Sequence, residues 1–121
     1  MQKKPSQDSK YHNIKTDVAT EGSSIRFDSR KEACRYKYLK ELYDLGGIQD
    51  LKLQVHFQLQ GTFKTVEGET VRGIDYVADF TYRRGNELVI EDVKSAITRK
   101  NPVYTMKRKM MAERGYKITE V

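Results

Sequence analysis

Four residues of this sequence have the types and spacings that metal-assisted hydrolysis needs: Asp79, Asp92, Lys94 and Glu32. The segments GIDYVADF and ELVIEDVK both read as strands. Alternation puts Asp75, Val77 and Asp79 on one face of the first, with Ile74, Tyr76, Ala78 and Phe80 on the other. In the second, Leu88, Ile90, Asp92 and Lys94 share a face and Glu91 turns away. Strand interiors are depleted in Asp, and a buried unpaired carboxylate is costly, so acids at the ends of two neighbouring strands need partners. A hard divalent cation is one. Asp79 and Asp92 are separated by a turn at Arg83-Arg84-Gly85-Asn86, so a hairpin brings the two carboxylates within a few ångströms. Mg²⁺ or Mn²⁺ suits such a pair, because magnesium takes one or two carboxylates and completes its shell with waters and phosphate oxygens. Lys94, one pleat beyond Asp92, then favours an ionised water or stabilises charge growing on a scissile phosphate. The same spacing also fits a plain salt bridge between Lys94 and one Asp on an open sheet face.

Glu32 precedes Tyr36, Leu39 and Tyr43 by four, seven and eleven residues, which puts it on the apolar stripe of a helix facing the sheet. A second reading stands beside this one. Ser29-Arg30-Lys31-Glu32 fits a capping box, in which Glu32 serves only the start of its helix.

The elements that position these residues follow from periodicity. A helix is predicted from Ser29 to Leu45, stopped by Gly46–Gly47. Leu51, Leu53, Val55, Phe57 and Leu59 alternate with polar residues as in a half-buried strand, Gly68 centres a turn, and Val71 to Tyr82 is a second strand. A third runs from Glu87 to Lys94. Asn101–Pro102 opens a second helix that Gly115 closes, and Tyr116 to Val121 adds a last strand. Residues 1–17 are polar and read as a flexible basic arm, Val18 to Phe27 as a small hairpin or an extended lead-in, and residues 18–121 as a single domain. The fold class is α/β, or α+β, in the order helix, three strands, helix, strand.

With 121 residues, 37% hydrophobic and 33% charged, the chain suits one core without disulfides, and a single cysteine, Cys34, excludes an internal bridge. No apolar run approaches the roughly 20 residues that span a bilayer, and residues 1–10 lack the apolar segment of a secretory signal; both point to the cytoplasm. The net charge of +6 is concentrated: Lys94 to Arg114 holds seven basic residues and one acid. That excess fits a polyanion such as DNA, and it also fits a solvated helix face. Lys100, Tyr104, Lys107 and Met111 fall on one helical stripe and, with Arg99 and Arg108, make a phosphate-gripping surface; Val103, Met106 and Met110 are then expected on the sheet. His56 reads as a surface residue and Cys34 as an ordinary helix residue.

Glu32 on a first helix, Asp79 on a hairpin strand and Asp92-Val93-Lys94 on the next resemble the PD-(D/E)XK nuclease superfamily. More closely, KYHN, RFDSRKEACRY, the Leu51 to Gln60 strand, YVADF, EDVKS and NPVYTMKRKM are similar to a small phage and prophage family. That family has no established function and is grouped with the superfamily as endonucleases of the Holliday-junction-resolvase kind. The resemblance covers roughly residues 10 to 121. It implies a restriction-endonuclease-like core, Asp79 and Asp92 as metal ligands, Lys94 as the catalytic lysine and Glu32 as a direct or water-mediated ligand. Ala78 stands where the superfamily's proline is, and Asp92 replaces the commoner Glu. Glu91 raises a question of register, which strand parity resolves toward Asp92. The implied activity is Mg²⁺- or Mn²⁺-dependent cleavage of branched DNA in phage recombination or replication, by a homodimer if paired nicks are made. A non-catalytic DNA-binding module that kept the fold is the competing expectation.

Overall fold

The computed structural model describes residues 16–20 and 23–121. Residues 1–15 of the expected arm, with Lys3, Lys4, Lys10, Tyr11, His12 and Lys15, lie outside the described residues. Thr16 and Asp17, expected to end that arm, instead open a strand. These residues fall into two compact units, the first ending at Ile48 and the second spanning Gln49–Val121.

In the first unit β1 (Thr16–Thr20) and β2 (Ser23–Phe27) form an antiparallel hairpin, the first of the two alternatives read for this stretch. Helix α1 (Arg30–Asp44) follows. Ser29 caps it, its Oγ accepting from the Glu32 N–H at 3.0 Å, and Gly46 ends it at φ +83°. Glu32, Ala33, Tyr36 and Leu39 are the buried residues of the helix, and the Phe27 and Tyr36 rings meet at 5.1 Å. The predicted stripe stops early: Tyr43 is exposed, with the Lys40 ammonium 5.5 Å from its ring.

The second unit is built on a four-stranded mixed sheet. Its strands are β3 (Gln49–Gln60), β6 (Ile74–Arg84), β7 (Glu87–Asp92) and β8 (Ile118–Glu120), in the order β3-β6-β7-β8. The first two pairings are antiparallel and the last is parallel. Between β3 and β6, β4 (Phe63–Lys64) and β5 (Thr70–Val71) form a separate ribbon whose turn needs Gly68 at φ +88°. The second strand predicted from Val71 is therefore broken at Arg72–Gly73. The reason is a backbone crossing: a Cβ on Gly73 would lie 2.1 Å from the Gln60 carbonyl oxygen. Its N–H donates to Thr62 Oγ1 at 3.2 Å.

Arg84 pairs with Glu87 across the tight turn at Gly85–Asn86, so the hairpin joining β6 and β7 is tighter than its sequence suggested. A parallel strand must return through a crossover. Here α2 (Ala96–Arg99) and α3 (Pro102–Glu113) supply it. The one-turn α2, which sequence periodicity is too short to show, starts in a reciprocal cap between Ser95 and Thr98. Asn101 Oδ1 caps α3 by accepting from the Val103 and Tyr104 N–H groups.

Leu59, Tyr76, Ala78, Ile90, Tyr104, Met111 and Ile118 form one buried cluster, with Phe57, Ile74 and Met110 packed on it. Each large apolar side chain so buried contributes about 1.5–3 kcal/mol. The faces of α3 differ in part from those predicted: Met110 packs on the core as expected. Tyr104 and Met111, placed on the phosphate-gripping stripe, are in the core, whereas Val103 and Met106, expected on the sheet, are each more than half exposed. Tyr104 turns inward because a phenol finds partners there that valine cannot use. The fold class is thus mixed α+β, as expected.

Candidate active site

Asp92 closes β7 and is 3% exposed. Both of its oxygens are engaged. Tyr76 Oη donates to Oδ2 at 2.6 Å, and Lys94 Nζ lies 3.4 Å from Oδ1. Lys94 is just past the strand, but its backbone continues the ladder: its N–H donates to the Val121 carbonyl, and the Val121 N–H donates to the Asp92 carbonyl. The Lys94 ammonium stands 4.3 Å from the centroid of the Tyr104 ring, a cation–π contact. The Tyr104 hydroxyl donates in turn to Glu120 Oε2 at 2.6 Å.

Asp79 is one step along β6 from Phe80, which pairs with Glu91. Its Oδ2 accepts from the Val93 N–H at 2.8 Å, so the carboxylate binds the backbone between Asp92 and Lys94. The Gln54 amide reaches Oδ1 at 3.4 Å from β3, where Gln54 has φ 53°. Strict alternation put Tyr76 on the face opposite Asp79, yet Tyr76 meets Asp92. The β3–β6 register runs unbroken through this region, but Phe80, Thr81 and Tyr82 are buried in succession, and left-handed Gln54 lies between the Leu53–Phe80 and Val55–Ala78 pairs.

Burial pushes the Tyr76 phenol far above the ordinary tyrosine range, helped by its hydrogen bond to Asp92 and by the charges of Asp92 and Asp79. Tyr104 is raised mainly by burial too, then by its bond to Glu120. Both hydroxyls are therefore obligate neutral donors. Glu91, the other candidate acid, accepts from the Tyr82 hydroxyl and is 1% exposed. Its register and its partner give Glu91 a structural role.

An open cleft of about 310 Å³ is lined by Tyr76, Val77, Asp92, Lys94, Asn101, Tyr104 and Lys107, among others. Of the residues expected on DNA, Lys107 borders this cleft, Lys100 is exposed, and Arg99 and Arg108 approach Glu120 at 3.7 and 3.4 Å. Tyr104 is instead an internal support. Tyr76 and Glu120 were not singled out from sequence. A tyrosine on an apolar face gives no sign of its partner, and Glu120 becomes significant only through the parallel pairing of β8.

The second unit thus brings together Asp79, Asp92 and Lys94. Glu32 belongs to the first unit, where it is buried in the first turn of α1. Among the described residues, no three His, Cys, Asp or Glu side chains are gathered closely enough to hold a metal. Two carboxylates nevertheless suffice for Mg²⁺ when water and phosphate complete its shell. His56 is exposed and pairs through Nδ1 with Asp75 Oδ2 at 3.1 Å; Cys34 is exposed and forms no disulfide. No helix among the described residues is long and apolar enough to cross a membrane.

No curated protein matches the chain. Over residues 8–120 it matches a family model described as "Protein of unknown function (DUF1064)", and the chain belongs to that family.

Proposed function

We propose that this protein is a metal-dependent DNA endonuclease, selective for branched DNA and acting in the cytoplasm of a phage's host. The observation that carries the reading is the buried Asp92 beside Lys94 at the wall of an open cleft, with Asp79 bound to the backbone between them. When bound, Mg²⁺ or Mn²⁺ held by Asp79 and Asp92 supplies an activated water and charge neutralisation at the phosphate. Tyr76 fixes the direction of the Asp92 carboxylate as a neutral donor, its phenol raised by burial. Lys94, held over the Tyr104 ring, places an ammonium beside the reacting phosphate, where it stabilises the negative charge that grows during attack. Lys107 and Lys100, with Arg99 and Arg108, hold flanking phosphates. Glu32 is either a third ligand, direct or water-mediated, or only a helix cap. Paired cuts on a symmetric junction require two copies of the chain.

Labelled four-way junctions, flaps and linear duplexes, incubated with Mg²⁺ or Mn²⁺, test the reading. Cutting by the wild type that vanishes in Asp92→Ala and Lys94→Ala supports it; no cutting of any substrate overturns it. A non-catalytic DNA-binding module is the second reading. It is favoured by one observation: Asp79, Asp92 and Glu120 all have structural partners within the fold. Salt-sensitive DNA binding without cleavage is its signature.

A further inference from the structure

A second concavity, of about 350 Å³, lies at the Gln60–Ile74 end of the β3–β6 pair and is lined by Gln58, Gln60, Thr62, Arg72, Gly73 and Asp75. Its floor is the glycine crossing that the Gly73 N–H pins to Thr62 Oγ1. Among the described residues, no side chain engages the amides of Gln58 and Gln60 or the guanidinium of Arg72. Three planar, multiply hydrogen-bonding groups, all of them exposed, thus line one concavity. Asp75 in the same wall is anchored by His56. A carboxylate repels phosphate, so this is a poor backbone site. Arginine, glutamine and aspartate do match base edges: Arg to guanine, Gln to adenine, and Asp to the cytosine amino group.

The groove is aligned with the cleft. His56 pairs with Val77 and Gln58 with Asp75, and Val77 is itself a wall of the cleft that holds Asp92. Asp75 is two residues from Val77 along β6, about 7 Å at strand spacing, or about two base-pair steps of 3.4 Å on duplex DNA, and Arg72 lies beyond the break at Gly73.

We infer that the Gln58–Gln60–Arg72–Asp75 groove is a specificity subsite that reads base edges two or more pairs from the bond cut at the Asp92–Lys94 cleft. This rests on the endonuclease reading and adds sequence selectivity to it. The test has two arms. Cutting of a DNA pool with randomised flanks, followed by sequencing of the ends, reads the preference in catalysis. Fluorescence anisotropy of the same DNA in EDTA, with selection of the bound fraction, reads it without catalysis. The wild type is expected to favour particular bases at those positions by about tenfold. Arg72→Lys, which keeps the charge and loses the fork, and the double variant Gln58→Ala/Gln60→Ala are expected to flatten that preference. These are surface substitutions that leave the melting temperature close to wild type. A wild type without preference there, or a preference that survives both variants, overturns the subsite even if DNA is cut. A preference seen in binding without any cutting upholds the groove and removes the nuclease. No binding and no cutting removes both.

Discussion

Tyr76 and Asp92, on neighbouring strands, are joined by a 2.6 Å hydrogen bond in the wall of the cleft, where each residue is only 3% exposed. Removing the donor leaves a buried carboxylate oxygen short of a partner, which costs about 1–3 kcal/mol. Tyr76→Phe is therefore expected to lower unfolding stability by that amount in urea titrations. A loss no larger than a neutral surface change would show that Asp92 is supported some other way.

The two raised phenols give the fold an alkaline limit. Tyr76 and Tyr104 stay protonated in the folded chain well above the ordinary tyrosine value of 10.0, while the unfolded chain releases those protons near it. Their contribution is fully present below pH 10 and is lost as pH rises above it. Ultraviolet titration should show a late phenolate fraction that ionises only as the chain unfolds, and that is absent from Tyr76→Phe/Tyr104→Phe.

Asp79 has a structural task and a proposed chemical one, and two substitutions separate them. Asp79→Asn keeps an oxygen to accept from the Val93 N–H, so stability is expected to change little while metal-dependent cutting is lost. Asp79→Ala orphans that N–H and is expected to cost a further 1–3 kcal/mol or so in denaturant titration. Equal cutting by wild type and Asp79→Asn would remove Asp79 from the metal site.

Phosphate contacts are read from salt. Each contact contributes about 0.9 to the slope of log K against log salt. Lys100→Ala and Lys107→Ala are expected to lower that slope by about one each, whatever the DNA sequence. Glu120→Gln, which removes the charge facing Arg99 and Arg108, is expected to raise affinity most at low salt. An unchanged slope in both lysine variants would move the DNA away from the α3 side of the cleft.

Much of this architecture is legible in one sequence, because the cues are local. The alternation from Leu51 to Leu59, the Asn101–Pro102 start and the glycines at 46, 85 and 115 act through their own backbone. The Asp92–Lys94 pairing follows from strand parity alone. The partial turn of the α3 faces was not legible. Val103 and Met106 look like a core stripe with Met110, which does pack inward, until Lys94 and Glu120 are known to offer Tyr104 a cation for its ring and an acceptor for its hydroxyl. The break at Gly73 was hidden for a similar reason, since it answers a carbonyl thirteen residues earlier in the chain.

The parallel pairing of β8 with β7 has a consequence for the order of folding. The β3–β6–β7 meander closes through contacts between sequence neighbours, whereas β8 reaches β7 only after α2 and α3 have been laid across the gap. Loop closure makes such a pairing slow. The backbone bonds between Val121 and the Asp92–Lys94 segment are then among the last to form, as is the acceptor that orients Tyr104. An early intermediate would hold the two aspartates on a finished hairpin while its lysine was still unplaced, so native-like sheet signal should precede a competent site.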